Sequence, residues 1–345
     1  MELTGGEIYF IRERDLLSNE LTDYFKVGIV REGGKDERSS LIRLKDHQTG
    51  NPRELVLDEV FTTPLVERLE TMIHAINATS GIRGEWLRND DNRIEEIKKQ
   101  LTILVEDAKA VAPVIAKADE LKKQFSNDSK IDASESAHSW FTQYAIAHLS
   151  EAHYKPLVER INNLLIEAIE KGEDIAKVAK IQEKKVKFDL DEEALKAAHP
   201  ETYELFMETV VTGPLGKFAT KKISLDQKLV DEVLNPATLE ILQAIEKVES
   251  GQLGKLDLHK PRLDLWGLQS KAAWDKEVAA AHLKVICDVN AGIEGLCTWN
   301  RVEKKTEKFN KSNFKIAHPD LFEEFQIEIT GKGALIVDKK IGYAQ

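Results

Sequence analysis

Five side chains within the first seventy residues could do chemistry together: Tyr9, Lys26, Arg43, His47 and Glu70. Their types answer the needs of phosphodiester hydrolysis, which are an activated water, a neutralised phosphate and a stabilised leaving oxygen. A single carboxylate can hold one hard divalent cation that keeps most of its waters, and Glu70 is the candidate for it. A phenol such as Tyr9 is a poor base at its ordinary pKa of about 10, so it needs a metal or another cation beside it. Lys26 would supply that cation. The Arg43 guanidinium can clamp a phosphate through two parallel bonds. His47 follows four residues later and shares the same helix face.

Groups this far apart in sequence need a scaffold. Residues 7–11 and 24–30 are β-rich runs joined by a polar segment, and Gly33-Gly34 ends the second. Residues 39–47 read as a helix with Leu41, Ile42 and Leu44 on its apolar side. Gln48-Thr49-Gly50-Asn51-Pro52 is a turn signal, and residues 55–61 read as a third strand. Pro64 then opens a second helix at its first position, with Leu65, Leu69, Met72, Ile73 and Ile76 as a stripe. The order β-β-α-β-α predicts a compact α+β module over residues 1–90, with a three-stranded antiparallel sheet.

The succession Ile8-Tyr9-Phe10, Lys26-Val27-Gly28, Arg43 and Glu70 resembles the GIY-YIG nuclease superfamily. The Gln48–Pro52 turn, the step from Leu69-Glu70 to His74, and Gly84-Glu85-Trp86 resemble the branch common in phage and bacterial proteins. The resemblance covers residues 5–88, roughly a quarter of the chain. It implies a metal-dependent endonuclease acting on DNA, with RNA left open, and Mg²⁺ or Mn²⁺ on Glu70. It implies that Lys26 stands where the family often has a second tyrosine. It also implies that His47 lies in the active site and positions Tyr9 or the phosphate. His74 either joins the site or packs beneath Glu70. Glu85 and Trp86 read as structural residues that close the module. The asparagine that often follows the metal glutamate in the family has two candidates here, Asn77 and Asn89, and neither spacing singles itself out.

The rest of the chain is mostly helical in pattern. Ile94, Ile97, Leu101, Leu104, Ala108, Val111 and Ile115 predict a long amphipathic helix, bent or interrupted near Pro113, as a stalk or linker over residues 91–125. Beyond it lies an internal repeat offset by close to 119 residues. Lys187-Phe188 answers Lys308-Phe309, His199-Pro200 answers His318-Pro319, and Tyr203-Glu204-Leu205-Phe206 answers Phe322-Glu323-Glu324-Phe325. Glu183–Lys185 answers Glu303–Lys305, and Thr212-Gly213 answers Thr330-Gly331. Two copies of one helical unit are therefore expected at residues 126–225 and 240–345, each ending in a short hairpin. Each His-Pro step reads as a helix start rather than a metal site. Lys217, Lys221 and Lys222, with counterparts Lys332, Lys339 and Lys340, cluster at these hairpins and could meet phosphate. A duplicated unit beside a nuclease suggests recognition of a target, or a homodimer or protein partner held through the repeats.

Composition restrains this reading. The 345 residues carry 49 Lys and Arg against 60 Asp and Glu, a net charge of −11. That argues against a general polyanion binder and demands a focused groove, for which Arg12, Arg14, Lys26, Arg31, Lys35, Arg38, Arg43, Lys45 and Arg53 are candidates, Arg12 and Arg14 reading rather as partners of the adjacent Glu13 and Asp15. The alternative is an adaptor that keeps the fold, binds nucleic acid or protein and does not cut. No apolar run approaches the roughly 20 residues of a membrane helix, so no membrane partner is expected. The first residues do not read as a secretion signal. Cys287 and Cys297 fit no zinc or redox spacing and read as buried thiols, which suits a reducing cytoplasm.

Overall fold

The computed structural model describes residues 2–33, 38–175, 178–182, 186–224, 227–329 and 334–337. Gly34, Lys35, the Glu183–Lys185 step, residues 330–333 and Lys339-Lys340, all named above, lie outside them. The chain is mixed α+β. Its first part is a five-stranded antiparallel sheet in the order β3-β1-β2-β5-β4. The strands are β1 (Gly6–Arg14), β2 (Leu21–Arg31), β3 (Glu54–Thr63), β4 (Gly81–Arg83) and β5 (Trp86–Arg88). The two strands beyond the expected three come from residues 81–88, where Gly84 at φ +63° makes the tight turn between β4 and β5.

Period-two alternation sorts the side chains onto two faces. Ile8, Phe10, Phe25 and Val27 form one face and pack under α2 (Val66–Ile76) through Leu69, Met72 and Ile73. Pro64, expected at the first helical position, lies just outside α2, whose N-cap is Leu65. Tyr9, Ile11 and Lys26 belong to the other face, beneath α1 (Ser40–Gln48). Helix α1 departs from its expected orientation. Leu41 and Ile42 point to solvent, and only Leu44 reaches the apolar cluster around Tyr9. The helix instead turns the row Ser40, Arg43, Leu44 and His47 inward over the sheet. The Ser40 amide donates to Glu7 of β1 at 3.1 Å and fixes the start of the helix. Gln48 holds its end by accepting from the Leu55 amide at 2.7 Å and donating to the Arg53 carbonyl at 2.8 Å.

Helix α3 (Arg93–Lys122) runs through Pro113 as one helix. It is packed rather than stalk-like: Ile94, Ile97, Leu101, Ala108, Val111 and Ile115 enter the same core as the sheet. After the short β6 (Lys130–Ile131) comes α4 (Glu135–Glu170). Further elements are β7 (Ala179–Gln182), β8 (Lys187–Leu190), α5 (Glu192–Ala198), α6 (Pro200–Leu205), β9 (Met207–Leu215) and β10 (Ala219–Thr220). A single turn, α7 (Gln227–Leu229), and a π-helical turn, Val230–Leu234, lead into α8 (Asn235–Glu249) and then α9 (His259–Cys287). Helices α4 and α9 are antiparallel: Trp140 stacks on His282 at 3.6 Å, whereas Lys255, just before α9, pairs with Glu167. Trp274 and Ala281 carry α9 into the core of the N-terminal sheet. Gly267 lets α9 approach α2, since a Cβ there would lie 3.2 Å from the Ala75 carbonyl oxygen. After β11 (Gly292–Ile293) and β12 (Cys297–Thr298), the buried Arg301 lies over Trp299 at 4.0 Å and donates to the carbonyls of Gln124 and Asp288. The two cysteines are free and buried, with their sulfurs 3.9 Å apart.

The last elements are β13 (Val302–Phe309), α10 (Lys311–Ala317), α11 (Pro319–Glu324), β14 (Gln326–Ile329) and β15 (Ala334–Val337). The expected hairpin between the last two strands does not form. Strand β14 pairs with β8, and β15 with β7. Strand β13 pairs with β9 in a matching way. Leu190 faces Gln326 as Phe309 faces Met207, and Lys187 faces Ile329 as Thr306 faces Val210. Every partner in one pair lies 119 positions from its equivalent in the other. The Asp191 amide donates to Phe325 and the Asn310 amide to Phe206, at 2.8 and 2.9 Å. Asp191 and Asn310 both cap the next helix, and His199 and His318 share φ near −133°. Leu190, Leu195, Tyr203, Phe309 and Phe314 form one joint core. Pairing across the two stretches is what buries that core, and this is why neither stretch closes a hairpin on itself.

Candidate active site

The sheet brings Tyr9 and Lys26 to one face because Tyr9 sits opposite Gly28, and Lys26 opposite Ile11. Gly28 has a steric reason. A Cβ there would meet the Tyr9 hydroxyl at 2.5 Å and its ring carbon at 2.6 Å, so the phenol crosses β2 where no side chain stands. Tyr9 is 1% exposed and its hydroxyl lies 3.3 Å from His47 Nε2, within hydrogen-bonding distance. Lys26 is 6% exposed, and its ammonium forms an ion pair with Glu85. Arg43 lies on the same helix face as His47, and its guanidinium reaches Asp46 at 3.8 Å.

The electrostatics follow from this packing. Burial raises the Tyr9 pKa above its ordinary value; Arg43 beside it opposes the rise, while the charges of Glu85 and Glu70 add to it. Burial lowers the His47 pKa below 6.5, Lys26 and Arg43 lower it further, and Glu85 and Asp46 oppose them. At neutral pH the pair is therefore a protonated phenol beside a neutral imidazole. The imidazole is the better proton acceptor of the two, and its Nε2 lies 3.3 Å from the phenol oxygen.

Glu70 projects from α2, in the layer beyond the other face of the sheet. Its charge still bears on Tyr9. His74 does not join the cluster around Tyr9: its Nε2 donates to the Val27 carbonyl at 3.1 Å and ties α2 to β2. The two asparagine candidates are both structural. Asn77 is buried and donates to Ile73 and Gln100, and Asn89 accepts from the Ile94 amide at the start of α3. Most candidate groove cations are balanced by acids. Arg31 pairs with Glu67, Arg38 with Asp46 at 2.7 Å, and Arg53 with Glu13 at 3.0 Å. Arg14 pairs with Glu54 at 3.2 Å, and Arg12 donates to the Thr22 carbonyl at 3.4 Å.

No family model, no curated protein and no solved structure matches this chain. One residue of the site escaped the sequence reading. Glu85 reads there as a closing residue, yet it pairs with Lys26, and its charge acts on both Tyr9 and His47. The signal was the spacing Gly84-Glu85-Trp86, in which a left-handed glycine turns the chain back onto β2.

Among the described residues, no three acidic, histidine or cysteine side chains converge on a point that could hold a metal ion. A hydrated magnesium-type ion fits a half-buried carboxylate such as Glu70, because such an ion keeps several waters and needs only one or two protein carboxylates.

Proposed function

We propose that this chain is a metal-dependent endonuclease that hydrolyses phosphodiester bonds in DNA, with a GIY-YIG-like module at residues 1–90. The observation that carries the reading is the Tyr9–His47 hydrogen bond of 3.3 Å on the sheet face that also holds Lys26 and Arg43. Attack on phosphorus requires water to lose a proton. Tyr9 takes that proton as it gives its own to the neutral Nε2 of His47, so the phenol need never be released as a free phenolate. Lys26 and Arg43 place positive charge where the phosphate's negative charge grows. Glu70 is the residue that would hold Mg²⁺ or Mn²⁺, and the ion would supply further charge neutralisation at the phosphate.

The equivalence of residues 187–210 and 306–329 supports an internal duplication, and we assign the doubled unit to target or partner recognition. The surface ion pairs of Arg14, Arg31, Arg38 and Arg53 favour one second reading, an adaptor that binds without cutting. Plasmid nicking with Mg²⁺ or Mn²⁺ decides between them. Wild type should nick and Glu70→Ala should not. Equal activity in the two proteins, or binding with no cleavage of any DNA or RNA, refutes the endonuclease reading.

A further inference from the structure

We propose that Glu85 is a positioning residue of this site, holding the Lys26 ammonium on the sheet face that carries Tyr9 and His47. The proposal rests on the endonuclease reading for its purpose and on geometry for its substance. A lysine this deeply buried keeps its charge at a fixed place only if a carboxylate meets it, and removing one member of a buried pair leaves the other unsatisfied. Both members are pinned to the same strand. Lys26 lies within β2, opposite Trp86. Glu85 precedes Trp86 directly, and its carbonyl accepts from the Val27 amide at 3.2 Å. Trp86 packs against the cluster around Tyr9, and this sets the depth of the turn. The left-handed Gly84 brings Glu85 back beside β2, where its carboxylate meets the ammonium.

The arrangement leaves Lys26 with one side-chain oxygen partner among the described hydrogen bonds and ion pairs, Glu85. Glu85 is thereby the group through which the β4–β5 hairpin acts on the reaction. It touches neither the attacking water nor the phosphate in the scheme above; it acts through Lys26. Its negative charge also faces Tyr9 and His47, so its loss is felt by both proton-carrying groups.

The test compares wild type with Glu85→Gln, Glu85→Asp, Lys26→Met and the double variant Glu85→Gln/Lys26→Met. Folding of each is checked by circular dichroism. The first readout needs no nucleic acid. Amine acylation followed by mass spectrometry should find Lys26 protected in wild type and several-fold more reactive in Glu85→Gln. Unchanged reactivity overturns the proposal. The second readout is nicking. Glu85→Gln should lose activity by about a hundredfold, the scale of one misplaced catalytic group, and Glu85→Asp should recover part of it. In the Lys26→Met background the same change should alter the rate by no more than about twofold, because the group it positions is gone. An equal loss in both backgrounds shows that Glu85 acts on its own and overturns the positioning role. A wild-type protein that nicks nothing overturns the endonuclease reading and the catalytic purpose of the pair together. The acylation result still decides, separately, whether Glu85 holds Lys26.

Discussion

Gly28→Ala should disable the site without altering any of its chemical groups. The added methyl would lie 2.5 Å from the Tyr9 hydroxyl, 2.6 Å from its ring carbon Cζ and 2.9 Å from Cε2. Comfortable contact begins near ~3.5 Å, so the end of the ring must retreat by about 1 Å. Little space receives it, because Tyr9 is fully enclosed in the cluster with Ile11, Leu55, Val60 and Trp86. Overpacking of this kind costs about 1–3 kcal/mol of stability. A displacement of about 1 Å at a reacting group costs on the order of a hundredfold in rate. The assay pairs thermal melting with plasmid nicking. The expected result is a lower melting temperature together with loss of most of the nicking rate. Tyr9→Phe in the same chain removes the nearest atom but leaves Cζ in place, so it should restore only part of the stability. A Gly28→Ala protein that melts and nicks like wild type would refute the argument, because the phenol would then not cross β2 at this point.

Two further outcomes are expected. His47 has a folded pKa depressed below 6.5. Its neutral form therefore contributes stability that is complete above pH 6.5 and is lost as pH falls through the folded value. His47→Gln should flatten the acid side of the stability profile relative to wild type, and an unchanged slope there would contradict the burial argument. In the core shared by residues 187–210 and 306–329, Leu195 and Phe314 lie 119 positions apart and are both fully buried. Leu195→Ala should cost about 2–5 kcal/mol and Phe314→Ala about 3–5 kcal/mol. In either variant, amide exchange should accelerate in β9 and β13 together; protection lost in only one of them would show that the stretches fold separately.

Local pattern foretold β1, β2, β3, α1 and α2 because each signal there is short-range, and it missed β4 and β5, which are three residues each. The β-rich run of β1 is buried from Ile8 to Ile11, and of the α2 stripe Leu69, Met72 and Ile73 are buried while Ile76 is exposed. Helix α1 defeated the same logic. Its inward row carries Arg43 and His47, so apolar Leu41 and Ile42 are left outside. The candidate residues Tyr9, Lys26, Arg43 and His47 were legible as types in order, whereas the partner of Lys26 was not. That partner depends on the register of β2 against β5, about sixty residues away, and β5 is only three residues long. Strands β8, β9, β13 and β14 fall within the stretches whose sequences match at an offset of close to 119. Their partners were not legible, because each stretch pairs with the other and local periodicity carries no information on a choice between equivalent edges.

The reciprocal pairing of β8 with β14 and β9 with β13 also sets an order on the birth of the molecule. A growing chain has β8 and β9 in hand long before residues 302–329 exist. At ribosomal speed the interval is on the order of ten seconds. During it, the two strands carry open edges and half of an aromatic core, the features that invite association with neighbouring nascent chains. The unit is therefore one whose first half must wait, and a message cut short after residue 301 would yield a chain with well-formed helices and permanently unpaired strands.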